Sequence, residues 1–152
     1  MSIHHKRSRR NAQKTVYCAS PVSCFNWVAY GREVPHIKER YTRMLAHIKE
    51  HFPKASLLQP RFLFGSNAAW LVLWPLLQPQ IDILVVFTDE RGYIGKGVWV
   101  EVQDVLAAHK HAYYLDDMGA LHPWNEVELS APNEGNWRRY ARVTIKRLKV
   151  GA

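Results

Sequence analysis

The chain has 152 residues, a length that suits one domain with a hydrophobic core of its own. Its two cysteines, Cys18 and Cys24, are too few for the disulfide framework of a small secreted domain. No stretch has the length or flanks of a signal peptide or a membrane span. We therefore expect a cytoplasmic protein that has no association with membranes.

The formal net charge of +8 is concentrated at the two ends of the chain. Residues 1–14 contain five Lys and Arg and residues 138–152 contain six, without an acidic residue in either segment. Residues 15–137 contain ten basic and thirteen acidic side chains. We expect a disordered basic arm over residues 1–14 and a single α/β domain over residues 15–152. Basic termini of this kind can bind nucleic acid without sequence preference, which is a secondary hypothesis for the partners of this chain.

The first part of the chain predicts a strand, a helix and a second strand. Thr15 to Ala19 is a short apolar run that predicts a strand, and a long loop follows it. Pro35 suits the first turn of a helix, and apolar residues recur at helical spacing from Ile37 to Phe52. A second strand is predicted at the beginning of residues 55–64, because Pro60 would interrupt its hydrogen bonds.

The middle of the chain predicts a short helix and the central strand. Ser66 is a good N-cap for the segment that follows it, which we predict to be a short buried helix that stops near Pro75. Residues 81–87 form an almost unbroken apolar run rich in β-branched side chains. Such a run is typical of a strand that is covered on both faces of a parallel sheet.

The last third of the chain predicts one more helix and two strands. Glycines follow the central strand and predict a loop, after which apolar residues at helical spacing predict a helix with Glu101 in its first turn. His111 to Leu115 predicts a fourth strand, residues 119–137 show no clear period, and the alternation from Arg139 onward predicts a half-exposed last strand at the sheet edge. This order of elements predicts an α/β fold, a three-layer α/β/α domain with a flavodoxin-like, mostly parallel sheet.

Glu101 is the strongest candidate for a catalytic residue. It lies at the start of a helix beside a glycine-rich loop, at the edge of the sheet where open α/β folds bind ligands. A carboxylate there can act as a nucleophile or as a base, and the helix N-terminus favours its ionised form. It could equally be an acidic residue that only complements the helix dipole. Tyr17 in the first strand could place its hydroxyl in the same crevice, or it could be a core aromatic residue.

Other polar residues could bind a phosphate or a hydroxyl group in this crevice. Ser20 and Ser23 follow the first strand, where they could hold a phosphate together with backbone N–H groups, or only cap a turn. Arg32 and Lys96 could neutralise a phosphate, although each also suits an ordinary surface position.

The common signatures of metal and cofactor binding are absent or incomplete. His47 and His51 have the i, i+4 spacing of a helical metal pair, but no third ligand accompanies them in the sequence. No Walker loop is present, and no Gly-x-Gly-x-x-Gly follows the first strand. We therefore expect neither a metal nor a cofactor.

Three segments carry a family resemblance: Val-Tyr-Cys-Ala-Ser-Pro at the first strand, Gln-Ile-Asp-Ile-Leu-Val-Val-Phe at the central strand, and Gly-Val-Trp-Val-Glu-Val at the helix start. Together they span most of residues 15–115, and in this order they resemble the nucleoside 2-deoxyribosyltransferase-like superfamily, which includes the deoxynucleotide N-glycosidases. The resemblance implies that Glu101, four residues after Gly97, is the nucleophile that attacks the anomeric carbon. It places Tyr17 at the position of the aromatic hydroxyl of the family. It also implies a nucleoside or nucleotide substrate and a homo-oligomer, because neighbouring subunits often complete these pockets.

Two acidic positions of the family pattern are occupied by other residues. The family usually has an acid eight positions before the Asp that opens the central strand, and counting back from Asp82 gives Trp74. A second frequent acid, six positions before the nucleophile, is replaced by Gly95. Asp89 in the neighbouring loop is the remaining acidic candidate for protonating a leaving base.

The leading hypothesis is an N-glycosidic-bond enzyme, a deoxyribosyltransferase or an N-glycosidase, that acts on a deoxyribonucleoside or its 5′-monophosphate through a glycosyl-enzyme intermediate on Glu101. Its predicted catalytic residues are Glu101, Tyr17 and Asp89, and its predicted substrate-binding residues are Ser20, Ser23, Arg32, Trp74, Gly95, Lys96 and Gly97.

The main alternative is a catalytically inactive nucleotide-binding module, associated with nucleic acid through the basic termini. A NAD-cleaving enzyme is a further alternative, because such enzymes also cleave a glycosidic bond with a Glu side chain. The apolar cluster of Trp70, Leu71, Leu73 and Trp74 favours a homodimer interface.

Overall fold

A computed structural model describes residues 13–21, 24–25, 28–29, 32–63, 66–130 and 140–146. Most of the predicted basic arm, residues 1–12, and most of the basic C-terminal segment lie outside these ranges. The helices and strands are, in chain order, β1 (Thr15–Ala19), β2 (Val28–Ala29), β3 (Arg32–Glu33), α1 (Pro35–His51), β4 (Ser56–Leu58), α2 (Pro60–Leu63), α3 (Asn67–Leu77), β5 (Ile83–Val86), β6 (Tyr93–Gly95), α4 (Lys96–Ala107), β7 (His111–Leu115), β8 (Leu121–Pro123), β9 (Val127–Ser130) and β10 (Tyr140–Ile145). Short 3₁₀ turns at Gln78–Gln80 and Trp124–Glu126 precede β5 and β9.

The main sheet has five strands in the order β4-β1-β5-β7-β8. β4, β1, β5 and β7 are parallel, and β8 pairs with β7 in the antiparallel direction. Numbered along the chain, the strands of this sheet therefore follow the order 2-1-3-4-5 that is typical of flavodoxin-like folds. The structure confirms the predicted α/β fold and its mostly parallel sheet.

Alternate residues of the central strands face two different hydrophobic cores, as the two-residue period of a strand requires. Val16, Cys18, Val85 and Phe87 pack with α1 on one face of the sheet. On the other face, Tyr17, Ala19, Leu84 and Val86 pack with side chains of α3 and α4. The helices thus cover both faces of the sheet, and Tyr17 points toward the side on which α4 carries Glu101.

The C-terminal strand differs in place from the expected sheet edge. β10 is the middle strand of a separate three-stranded antiparallel sheet, in the order β6-β10-β9. Its Ala141 and Val143 are buried against the α4 side of the core, while Arg142 and Thr144 are exposed. The alternation therefore predicted a half-exposed strand correctly. Its two pairing partners were not predicted, because β9 lies in the segment without a clear period and β6 lies in the glycine-containing stretch predicted as a loop.

Helix α3 also differs from the prediction of a short buried helix. Ser66 caps it as expected, since its Oγ accepts a hydrogen bond from the backbone N–H of Ala69 at 3.1 Å. The helix continues two residues beyond Pro75, and much of it lies at the surface. Its exposed large apolar residues are Leu71, Val72, Leu73 and Leu76, the last with 68% of its area accessible. Among the residues that the structure describes, no helix is long and apolar enough to cross a membrane.

Candidate active site

The carboxylate of Glu101 is held between three elements of the fold. Its side chain is buried, with 4% of the residue accessible. Oε2 accepts one hydrogen bond from the Tyr17 hydroxyl and a second, at 3.0 Å, from the indole Nε1 of Trp70. β1 supplies the hydroxyl, α3 supplies the indole, and α4 supplies the acid.

The position of Glu101 along α4 explains its burial. α4 begins at Lys96, so Glu101 is its sixth residue and lies in the second turn, one turn deeper than predicted. Val98, Val102 and Val105 are also buried, and with Glu101 they form the face of α4 that packs on the sheet. Tyr17 is the third of five residues in β1, so the two side chains meet under α4 and not at the end of the strand.

Two tryptophans of α3 extend this arrangement toward a second acid. Trp70 and Trp74 are stacked, with ring centroids 6.5 Å apart, and Trp74 also lies 5.1 Å from the Tyr17 ring. The Trp74 Nε1 donates to the Asp104 carboxylate at 2.8 Å. The indoles of residues 70 and 74, one helical turn apart, thus donate to the carboxylates of residues 101 and 104, which are also one turn apart on the facing helix.

Trp70 and Asp104 were not predicted as site residues. The signals for them were present in the sequence. The i, i+4 spacing of Trp70 and Trp74 places both on one face of α3, and the i, i+3 spacing of Glu101 and Asp104 places both on one face of α4. That the two faces meet follows only from the packing of α3 on α4. Trp74, predicted as a substrate-binding residue where the family has an acid, is almost wholly buried at 3% accessibility, and its N–H is engaged by Asp104.

Burial raises the pKa of Glu101 to about 7, because a carboxylate without water loses much of its solvation. The hydrogen bonds from Tyr17 and Trp70 lower the pKa, and the nearby charge of Asp104 raises it. The expectation that the helix N-terminus would keep Glu101 ionised is therefore corrected, since at the sixth helical position desolvation dominates. Burial, followed by the charge of Glu101, raises the pKa of Tyr17, so this hydroxyl remains a proton donor.

Asp89 lies in a different environment from Glu101. Its Oδ1 accepts the backbone N–H groups of Arg91 and Tyr93 at 2.9 and 3.0 Å, and its Oδ2 accepts the Arg91 guanidinium at 3.2 Å. It lines a cavity together with residues of α1, and neither Glu101 nor Tyr17 belongs to that lining. The structure thus brings together two of the three predicted catalytic residues and places the third in a turn after β5.

The remaining predicted site residues are dispersed. Ser20 follows β1 and is buried, and its Oγ has no hydrogen-bond partner within the described part of the chain. Gly95 is the N-cap of α4 and pairs with Tyr140 in the small sheet, while Lys96 and Gly97 are exposed in its first turn. Ser23 and the side chain of Arg32 lie outside the described residues.

No family model, no curated protein and no solved structure matches this chain. The fold and the geometry of the Glu101 cluster are therefore the observations from which a function can be argued.

The raised pKa of Glu101 predicts a specific pH dependence of stability. Between pH 4.5 and about 7 the unfolded chain has released the proton of this carboxyl and the folded chain retains it, so the free energy of unfolding falls as the pH rises. The full difference is about 3 kcal/mol. We expect Glu101→Gln, which does not titrate, to gain stability relative to the natural chain across this range and to keep the gain above pH 8. Urea unfolding at pH 4.5, 6, 7 and 8 measures it.

Glu39→Gln, which removes an exposed carboxylate on α1, controls for the change in net charge. A stability difference between the natural chain and Glu101→Gln that is constant from pH 4.5 to 8 would contradict the raised pKa.

Proposed function

We propose that the protein is an N-glycosidic-bond enzyme that acts on a deoxyribonucleoside or its 5′-monophosphate. The observation that carries the proposal is the buried Glu101 carboxylate, which is oriented on one oxygen by the Tyr17 hydroxyl and the Trp70 indole N–H. A fixed carboxylate beside an aromatic hydroxyl is the pair that the sequence resemblance implies for attack on the anomeric carbon. Because both donors contact Oε2, the proposal assigns the attack to Oε1.

In the proposed first step, the ionised Glu101 attacks C1′ of the sugar. A C1′–O bond forms and the C1′–N bond breaks, and the electron pair leaves with the base, which takes up a proton. Water then attacks C1′ and releases the sugar, or a second base attacks it and completes an exchange, and either event frees the carboxylate. Tyr17 and Trp70 hold Glu101 in one orientation, which reduces the entropy that must be lost on reaching the transition state.

The pKa of Glu101 sets the working range of this chemistry. Only the carboxylate form is nucleophilic, and with a pKa of about 7 roughly half of the molecules are ionised at neutral pH. Burial therefore lowers the ionised fraction of Glu101, and it makes the ionised form poorly solvated and more reactive. Asp89 is the proton donor proposed from the sequence, and Asp104, which interacts with Glu101 electrostatically, is a second acid on the same face of α4.

A catalytically inactive nucleotide-binding module is the second candidate. The observation that favours it is that Trp74, at one of the family-acid positions, and Asp89, the remaining acidic candidate, are both engaged in hydrogen bonds. Trp74 donates to Asp104, and Asp89 accepts three hydrogen bonds within its own turn. In this alternative the Glu101 cluster holds α3 and α4 together and the fold binds a nucleotide without cleaving it.

Base release from a panel of deoxyribonucleosides and their 5′-monophosphates tests the enzymatic proposal. We expect Glu101→Gln to lower the rate at least about a thousandfold, a loss of about 4 kcal/mol of transition-state stabilisation, because an amide cannot form the glycosyl ester. Substrate affinity should change little, since Gln keeps the shape of the side chain. Chromatography of the free base provides the rate. Absence of any base, together with a rise in melting temperature on adding a nucleotide, would favour the binding module instead.

The pH profile of base release distinguishes a nucleophile from a structural acid. Below its pKa, ionisation of Glu101 makes the rate rise about tenfold per pH unit, and above it the rate levels off. Tyr17→Phe removes a hydrogen bond that lowers this pKa and should move the midpoint to higher pH. Asp104→Asn removes a charge that raises it and should move the midpoint to lower pH. Midpoints that do not move in opposite directions would exclude Glu101 as the titrating group.

We also propose that the chain forms a homodimer or a larger assembly through α3. Val72 and Leu76 lie one turn apart on this helix and are 67% and 68% accessible, an arrangement that leaves a large apolar surface in water. Replacing both residues with Lys should reduce the mass that light scattering measures to that of one chain, which for a dimer is half of the original mass. Met118→Lys, at an 88% accessible apolar residue elsewhere, is the matched control and should leave the mass unchanged. A monomer mass for the natural chain at micromolar concentration would refute the proposal.

A further inference from the structure

A cavity of about 260 Å³ lies on the opposite side of the sheet from Glu101, where α1 packs. Cys24, Ile37, Arg40, Asp89, Glu90 and Arg91 line it. Cys24 follows β1 and the three consecutive residues 89–91 follow β5, so the cavity lies beyond the carboxyl ends of these two neighbouring strands. From β1 the chain passes to β4 on one side and later to β5 on the other. This is the topological switch point of the sheet, where open α/β folds bind their ligands.

A buried guanidinium, that of Arg40, forms the inner wall of this cavity. Arg40 is only 8% accessible. Its Nη1 donates to the Thr88 carbonyl at 2.6 Å and its Nη2 donates to the Asp117 carboxylate at 2.7 Å. The Nε of Arg40 has no hydrogen-bond partner in the described structure. Since buried polar groups are almost always paired, this N–H calls for an acceptor that no described residue supplies with hydrogen-bond geometry.

Among the described residues beside Arg40, the acceptors are weak or already used. The Cys24 sulfur, which interacts with Arg40, is a weak acceptor, and its S–H donates to the Thr88 carbonyl at 3.3 Å. The Asp89 carboxylate accepts two backbone N–H groups and the Arg91 guanidinium, as described above. The inner wall therefore offers a donor and needs an acceptor from the ligand. Toward the mouth, the half-exposed side chain of Glu90 lies 3.3 Å from His36 and can accept a hydrogen bond.

The charges around the cavity favour an uncharged ligand. Asp117 pairs with Arg40 and Asp89 pairs with Arg91, which leaves Glu90 as an additional carboxylate. Burial raises the pKa of Cys24 to about 12, so its thiol is neutral. An anion would lie beside the Glu90 charge, and each guanidinium among the described lining residues already faces a carboxylate, so a neutral acceptor avoids a cost that an anion would meet.

We propose that this cavity binds a small uncharged molecule through an amide edge, a carbonyl oxygen next to an N–H group. The carbonyl accepts the Arg40 Nε–H, the adjacent N–H donates to the Glu90 carboxylate, and Ile37 contacts the apolar part of the ligand. Simple amides and lactam-type nucleobases share this edge, so 2-piperidone and uracil represent the two sources. The proposal is independent of the chemistry at Glu101.

The Nε–H resonance of Arg40 provides a direct test in the full-length ¹⁵N-labelled protein. Arg40→Lys assigns the resonance by its loss, and Arg43→Lys, at an exposed position one turn further along α1, is the matched control that leaves it in place. Titration with 2-piperidone or uracil should shift the Arg40 Nε–H signal downfield and saturate. Acetate and inorganic phosphate, at the same concentrations and pH, should not shift it. The probe that binds more tightly identifies an amide or a nucleobase as the natural source.

Ile37→Trp keeps Arg40 and fills the mouth of the cavity, so it tests the site even if Arg40→Lys fails to fold. We expect it to retain the Arg40 Nε–H signal and to weaken probe binding at least tenfold. Three results would overturn the proposal. The first is the absence of a shift with either neutral probe at 10 mM, roughly the weakest binding that a specific small site would show. The second is a larger shift with acetate or phosphate, and the third is unchanged probe binding in Ile37→Trp. The first result would mean that water satisfies Arg40.

Discussion

The hydrogen bonds of the Tyr17 hydroxyl and the Trp70 indole to one oxygen of Glu101 join β1, α3 and α4. A carboxylate buried to this extent would be strongly destabilising without donors, because it has lost the water that solvates its charge. The two donors offset part of that loss, and the remainder is visible as a pKa near 7. The same two contacts therefore link the packing of α3 and α4 to the pKa of the acid, so a change at either donor should affect both.

The two faces of the main sheet carry two different kinds of polar environment. On the α4 side, two aromatic side chains donate to a carboxyl group whose pKa of about 7 leaves it only partly ionised at neutral pH. On the α1 side, Arg40 is buried with its charge balanced by Asp117, and its Nε–H has no acceptor among the described residues. Consecutive residues of β1 point to opposite faces of the sheet. The sheet therefore separates the Glu101 cluster from the Arg40 cavity. Asp89 belongs to the α1 side, and this is the structural reason that it does not join Tyr17 and Glu101.

Much of the fold could be predicted from the sequence because its signals are local. Pro35 at the start of α1, Ser66 as the cap of α3, and the apolar run of β5 each follow from the backbone preferences of a few neighbouring residues. The parallel pairing of β4, β1, β5 and β7 then agrees with the rules for connecting parallel strands. β8 and β9 were not predicted, because strands of three and four residues that pair with distant partners leave too few alternations to recognise.

For the candidate site, the sequence by itself determined only the candidates Glu101 and Tyr17, through the spacing of Glu101 from Gly97 and the place of Tyr17 in the apolar run of β1. Only the tertiary structure decided that Trp70 and Asp104 belong with them, since the contact depends on the rotation and depth of α3 against α4. It also decided the environment of Glu101: in the second turn of its helix, desolvation outweighs the helix dipole and raises the pKa that the sequence suggested would be low. Composition and periodicity specify which face of a helix is apolar, but the electrostatics of one buried carboxylate depend on atoms contributed by segments more than thirty and eighty residues away.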